Sequence, residues 1–272
     1  MPELPEVQTV LNTLELRIKD LEIIDVIILY PNIVDMDPIA FKNSLINQHF
    51  RNFKRRGKFL LFEMDDVLLV SHLRMEGKYF IKQHDEPVFK HTHIIFRLSN
   101  GQDLRYNDVR KFGRMYTTSL KPDYKVFHKL GVEPFSEDFN LEYCQARLSK
   151  SHRVIKQELL DQSFIAGIGN IYADEILFYA KLNPAKKANT LTTKEIQLLI
   201  KGTQEILKMA IADGGTTIRS YTSSLGVTGR FQQHLQVHQR EGEKCYLCQS
   251  TIIKTKVAQR GTYYCPKCQK LV

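Results

Sequence analysis

Pro2 and Glu3 open the chain within Met1-Pro2-Glu3-Leu4-Pro5-Glu6-Val7, and this pair could do covalent chemistry. A small second residue favours excision of Met1, which would leave a secondary amine on Pro2. An α-amino group has a reference pKa of about 7.7–8.0, against about 10.4 for lysine. More of it is therefore neutral and nucleophilic at working pH. Glu3, one residue away, could carry a proton. A plainer reading is available: the prolines open a helix, and Glu3 and Glu6 favour the positive end of its macrodipole. Taken alone, these seven residues favour the plainer reading. The rest of the chain shifts the balance.

A second chemistry-bearing group lies at the other end. Cys245-x2-Cys248 is followed by sixteen residues and then Cys265-x2-Cys268. Two such knuckles supply four thiolates for one tetrahedral zinc ion. With every position filled by protein, the site is structural, and the metal replaces a core that some thirty residues cannot build. Two disulfides are the competing reading. Between the knuckles, Ile253, Thr255 and Val257 alternate with Lys254 and Lys256, and Gln259-Arg260-Gly261 reads as a turn. Arg260 at a hairpin tip suits phosphate contact. The fifth cysteine, Cys144, falls on an expected helix and reads as a buried, inert thiol.

Phosphate-binding features recur elsewhere. Ile165-Ala166-Gly167-Ile168-Gly169-Asn170 lies between helices, with Asn170 placed to cap the next one. Exposed N–H groups at a helix start can hold a phosphate. An ordinary helix-turn-helix connection explains the glycines equally well. Lys150, His152, Arg153 and Lys156 lie just upstream. Lys54-Arg55-Arg56-Gly57-Lys58 reads as a basic turn ahead of a strand. His72-Leu73-Arg74-Met75-Glu76-Gly77 and Asp108-Val109-Arg110-Lys111-Phe112-Gly113 each set an apolar side chain among basic ones near a glycine. Met75 and Phe112 are more often core, yet proteins that kink DNA push such wedges between base pairs.

The elements that must carry these residues follow from periodicity. Val7, Val10, Leu11, Leu14 and Ile18 predict a helix over 6–19. Short β-type runs follow at 23–29, 59–62, 67–72, 94–98, 104–106 and 115–117, with one helix at 38–46. Asn100-Gly101 is a hairpin turn. This half reads as an antiparallel β-sandwich with helical trimmings. Gly131-Val132-Glu133-Pro134 reads as a hinge. Beyond it, helices are expected at 141–148, 154–162, 171–179 and 194–212, then a Gly/Ser/Thr-rich loop at 214–229. The fold class is α+β. The expected division is a β-sandwich domain over 1–131, a helical domain over 132–236 and a zinc-finger hairpin over 237–272.

The chain has 272 residues and a net charge of +9, enough for two cores and a basic excess that points to a polyanion such as nucleic acid. An acidic membrane surface is a less common partner. No signal pattern and no long apolar run is present, so a soluble cytosolic protein is expected. An odd count of five cysteines in a reducing compartment argues against disulfides.

Together these pieces resemble the bacterial formamidopyrimidine-DNA glycosylase family, from Pro2 to Gln269. The Pro-Glu-Leu-Pro-Glu-Val string, Gly169-Asn170-Ile171-Tyr172 with Asp174-Glu175, and the four-cysteine ending carry the resemblance by their order and spacing. It implies a β-sandwich domain, a hinge, and a helix–two-turns–helix domain bearing a zinc finger, with DNA between. It also implies removal of oxidised purines such as 8-oxoguanine and formamidopyrimidines from duplex DNA, then β,δ-elimination of the strand. By the same resemblance, Pro2 is the Schiff-base nucleophile, Glu3 the proton donor, Lys58 the aid to β-elimination and Arg260 the aid to δ-elimination. His72, His91, Arg110, Arg153, Lys156 and Asn170 would hold the DNA backbone. Met75, Arg110 and Phe112 would fill the gap left by the flipped base. Glu6 and Ser220 would serve lesion recognition. One zinc, a monomer and a location with the bacterial nucleoid complete the implied picture. His238 departs from the pattern, where the family often has an aromatic hydroxyl. The competing readings are an endonuclease VIII-like preference for oxidised pyrimidines and a non-catalytic DNA-binding protein. The N-terminal string and the 214–229 loop argue against the first, and the presence of Pro2 and Glu3 against the second.

Overall fold

The computed structural model describes residues 1–120, 127–216 and 229–271. The chain forms two compact units, one of residues 1–125 with 214–230, the other of 126–213 with 231–272.

The first unit begins with helix α1, Leu4–Ile18, whose buried residues Leu4, Val7, Val10, Leu11, Leu14 and Ile18 repeat at helical spacing. Two four-stranded antiparallel sheets follow. The strands are β1 Ile23–Ile28, β2 Asn52–Arg56, β3 Phe59–Glu63, β4 Val67–His72, β5 Lys78–Gln83, β6 Thr92–Leu98, β7 Gln102–Asn107 and β8 Arg114–Ser119, with helix α2, Pro38–Leu45, after β1. One sheet runs β1-β6-β7-β5 and the other β2-β3-β4-β8. A single buried cluster unites α1 with both sheets, from Val10 and Leu14 through Phe62 and Leu69 to Phe96, Leu104 and Met115. The β-sandwich reading therefore holds. Each such side chain, fully buried, contributes about 1.5–3 kcal/mol.

Two elements differ from expectation. Asn52–Arg56, read in part as a basic turn, is strand β2, and the turn is reduced to Gly57-Lys58. Strand β5 was not anticipated at all. Both are sheet edges whose residues are mostly half-buried, so neither shows a clean alternation.

The second unit contains α3 Leu141–Leu148, α4 Ile155–Leu160, α5 Asn170–Tyr179, α6 Thr193–Ala212 and the hairpin β9 Ile253–Val257 with β10 Arg260–Tyr264. The two turns between α4 and α5 are held by the Gln162 amide. It donates to the Leu160 and Ile168 carbonyls at 3.1 and 2.8 Å and accepts the Gly167 N–H at 2.9 Å. Gly131, expected to open a hinge, is instead pinned here: its N–H donates to Gln162 O at 2.8 Å, and Val132 O accepts from Ala166 N at 2.9 Å. Helix α5 is buried on all sides from Ile171 to Phe178, including Asp174 and Glu175. Burial raises the pKa of Glu175, while the N–H groups of His238, Gln236 and Val237 oppose the shift and bind the 236–238 segment to α5. Among the described residues, no helix is long and apolar enough to cross a membrane.

Candidate active site and metal centre

Pro2 and Glu3 are buried at the start of α1, behind an exposed Met1. Glu6 organises this start. Its Oε2 accepts the Glu3 N–H at 2.9 Å, and its Oε1 accepts the N–H and hydroxyl of Thr216 at 2.8 and 3.1 Å. Gly215 has φ +79°, and a Cβ there would stand 2.7 Å from Glu6 Oε1, so glycine is required for this approach. Thr216 was missed by sequence reasoning, because its role depends on a contact 210 residues away. Ser220 lies outside the described residues.

Lys58 sits in the two-residue loop joining β2 to β3, with Gly57 at φ +56°. Arg55 braces this loop by donating to Gln8 Oε1 of α1 and to Gly57 O, both at 3.0 Å. Lys58 is 6% exposed, so its ammonium is largely withdrawn from water. The neighbouring strand end carries His72, whose ring meets Phe59 edge-on at 4.5 Å. His72 Nδ1 accepts the Arg74 N–H at 2.9 Å, which fixes Nε2 as the donor nitrogen. Burial, then the charges of Arg74 and Lys58, hold the His72 pKa at about 3. The imidazole is neutral.

The two apolar candidates occupy neighbouring loops. Asp108 builds the second loop with its buried carboxylate, which accepts the N–H groups of Arg110, Phe112 and Gly113 at 3.0, 2.9 and 2.8 Å. His91, at φ +70°, accepts the Asp108 N–H through its carbonyl at 3.0 Å. Added Cβ atoms on Gly77 and Gly113 would lie 2.3 and 1.7 Å from the same Tyr106 hydroxyl. The loops carrying Met75 and Phe112 therefore converge on Tyr106. Phe112 is 48% exposed with Arg110 stacked on its ring at 4.8 Å, and Met75 is half-buried. Phe112 is thus not a core residue.

In the second unit Asn170 is the first helical residue of α5, not its cap, which is Gly169. Its amide donates to Gly261 O at 3.0 Å, and its Oδ1 is buried with no hydrogen-bond partner among the described residues. Two expected phosphate ligands are already committed. Arg153 donates to Glu158 at 2.6 and 3.1 Å and to Asp161 at 2.7 Å, so carboxylates neutralise its guanidinium. Lys156 is 0% exposed, and its Nζ donates to Asp174 Oδ1, Thr262 Oγ1 and Gly261 O at 2.6, 2.8 and 3.2 Å. These three acceptors match the three N–H groups of an ammonium. Both cations thus face carboxylates of their own unit, Lys156 fully buried and Arg153 39% exposed. Removing one member of a buried ion pair costs about 3–5 kcal/mol. His238 completes this network, with Nδ1 2.8 Å from Asp174 Oδ2. Arg260 itself is exposed at the start of β10. The hairpin loop is Ala258-Gln259, both at positive φ, one residue earlier than the sequence suggests.

Cys245, Cys248, Cys265 and Cys268 place their sulfur atoms within 4.8 Å of one another. The Cys245–Cys268 and Cys248–Cys265 separations are 3.9 and 3.4 Å, and all four are free thiols. Four thiolates at about 2.3 Å from a tetrahedral zinc stand close to this spacing, so the donor set and its geometry fit one structural zinc ion. Cys245 and Cys265 pack with Ile252, Val237 and Phe178, which fastens the finger to α5. Cys144 is fully buried, and burial pushes its thiol pKa up to about 12.

Comparison with known proteins bears on the whole chain. Residues 1–115 match the family model of the formamidopyrimidine-DNA glycosylase N-terminal domain, residues 130–222 that of its H2TH domain, and residues 242–271 that of the zinc finger found in FPG and IleRS. The formamidopyrimidine-DNA glycosylase of Oceanobacillus iheyensis is 46% identical over 273 residues, covering 99% of this chain and 98% of that protein. That of Bacillus licheniformis is 48% identical over 280 residues, covering 99% and 100%. Among solved structures, the Lactococcus lactis Fpg in complex with DNA containing an abasic site is 44% identical, with a TM-score of 0.94 and coverage of 98% and 99%. The wild-type L. lactis protein has also been crystallised with an N7-benzyl-Fapy-dG DNA, at 44% identity and a TM-score of 0.94, covering 99% and 100%. With its three domains matched in order and kinship along its full length, this chain belongs to the formamidopyrimidine-DNA glycosylase family.

Proposed function

We propose that this protein is a base-excision repair enzyme, a bifunctional DNA glycosylase and AP lyase that removes oxidised purines from duplex DNA. The observation that carries the reading is the Pro2-Glu3 start of α1, buried and tied through Glu6, in a chain whose solved relatives bind abasic-site and Fapy-dG DNA. With Met1 removed, the Pro2 nitrogen attacks the sugar C1′ and the damaged base departs with a proton. Glu3 protonates the ring oxygen, and the opened sugar becomes an iminium on Pro2. Proton loss beside the imine expels the 3′ phosphate, aided by Lys58. A second elimination aided by Arg260 releases the 5′ phosphate, and water returns the amine.

Extruding the base costs a few kcal/mol of stacking and pairing. Met75 and Phe112, set in adjoining loops, are placed to fill the gap, with Arg110 facing the orphaned base. His72 donates through Nε2 as a neutral group, so its contact with the backbone rests on hydrogen bonding, while Arg110 and Arg260 supply charge. His91 and Asn170 add backbone contacts, and Glu6 serves lesion recognition through the loop it anchors. The enzyme acts as a monomer on chromosomal DNA, in the cytoplasm at the nucleoid.

Duplexes bearing one 8-oxoguanine, one formamidopyrimidine, one oxidised pyrimidine or one abasic site test the reading. Cleavage of the purine lesions with phosphate on both ends of the gap supports it. Binding without cleavage, or preference for the pyrimidine lesion, contradicts it.

A further inference from the structure

We propose that Lys156 is a positioning residue that fixes the place of Arg260 and does not itself touch phosphate. The inference rests on the DNA-repair reading above, since it assigns Arg260 to the phosphate.

Charge and burial alone would make Lys156 and Asp174 a closed pair, both side chains being 0% exposed. The pair nevertheless reaches outward through the hairpin. Thr262, also fully buried, accepts from Lys156 Nζ at 2.8 Å and donates its own proton to the carbonyl of Arg260 at 2.9 Å. A continuous relay thus runs from the Asp174 carboxylate, through Lys156 and the Thr262 hydroxyl, to the backbone of Arg260. The next carbonyl, Gly261 O, is shared by Lys156 and Asn170 at 3.2 and 3.0 Å. Asp174 Oδ2 also accepts the Tyr263 N–H at 3.3 Å. Residues 261–263 are therefore gripped at three successive positions by side chains of α4 and α5, and Arg260 is held in turn by Thr262.

The other side of Arg260 has little slack. Ala258 and Gln259 form the two-residue loop at φ +49° and +61°, and Arg260 pairs directly with Val257. Neither loop residue is glycine, so the tight turn depends on its surroundings to persist. Removing the ammonium of Lys156 takes one bond each from Thr262 and Gly261 and lets the arginine leave its working position.

The slope of log affinity against log salt separates the two roles, because each lost phosphate contact lowers it by about 0.9. The probe is a duplex carrying a stable abasic-site analogue, bound by the zinc-loaded full chain. R260A is expected to flatten the slope by one contact and K156M by a similar amount, while K156M/R260A flattens it no further than R260A. In lesion duplexes, K156M should accumulate the β-elimination product, as R260A does. A double variant that loses two contacts assigns Lys156 to phosphate and overturns the proposal. So does K156M with an unchanged slope. Should K156M lose its zinc or its cooperative melt, T262V cuts the relay at its narrowest point. T262V is expected to flatten the slope in the native background and to have no effect beside R260A; an unchanged slope in the native background overturns the proposal. Failure of the native chain to cut any lesion duplex refutes the repair reading instead, and is read in a separate lane.

Discussion

Glu6 and Thr216 are joined by two hydrogen bonds of 2.8 and 3.1 Å to one carboxylate oxygen, while the other oxygen holds the Glu3 N–H. One side chain thus ties the proposed catalytic N-terminus to the entry of the glycine-rich loop. E6A should destabilise the protein by about 1–3 kcal/mol, the cost of stranding buried donors. It should slow excision of a damaged base more than incision of a preformed abasic site. Equal slowing of both reactions would remove Glu6 from lesion recognition and leave it a helix-start residue.

His72 gives a pH signature. Unfolded, the imidazole takes a proton below about 6.5, whereas the folded protein keeps it neutral to about 3. The unfolded state binds more protons in that window. Stability is therefore full above pH 6.5 and falls as the pH drops towards 3, by about 1.4 kcal/mol per unit at most. Asp161 acts over a lower window. Burial works against it, but bonds from Ser163 and Arg153 hold it at about 2, so its stabilisation is present above 3.8 and lost below. H72N keeps an acceptor for the Arg74 N–H and should flatten the melting profile between pH 6.5 and 4. An unchanged profile would show that His72 protonates freely in the folded protein.

Much of this was legible in the chain itself. Apolar spacing exposed α1 and α3, and two CxxC knuckles exposed the metal site, because both signals are local. Edge strands β2 and β5 were hidden because their half-buried residues show no clean alternation of apolar and polar side chains. Arg153 and Lys156 illustrate the harder limit. Both look like phosphate ligands in one dimension, and the carboxylates that neutralise them lie 5 to 18 residues away. Sequence patterns report which groups carry charge, not which partner has already taken it. The convergence of Gly77 and Gly113 on Tyr106 was invisible for the same reason.

One zinc per chain should be found by elemental analysis, held by Cys245, Cys248, Cys265 and Cys268. C265S should reduce the metal content and loosen the packing of Cys265 with Ile252 and Val237. Because Arg260 lies on the same hairpin, DNA affinity should fall with the metal. Full zinc content in C265S would contradict the four-thiolate site.

Met75 and Phe112 should act in the duplex and not in the core. With Phe112 48% exposed, M75A/F112A should cost little in thermal stability. Excision from duplex DNA should fall at least tenfold, whereas a lesion in single-stranded DNA should be affected less. A large loss of stability with parallel losses on both substrates would return the pair to a packing role.

The central claim is that Pro2 is the nucleophile. Borohydride added during reaction with lesion-containing duplex should reduce the iminium and lock protein to DNA, and mass spectrometry of the digested adduct identifies the attached residue. The account predicts attachment at the Pro2 nitrogen, loss of trapping when Met1 or a tag remains ahead of it, and loss of base excision with retained binding in E3Q. Attachment at Lys58 or any other lysine, or full activity in a chain that keeps Met1, would contradict it.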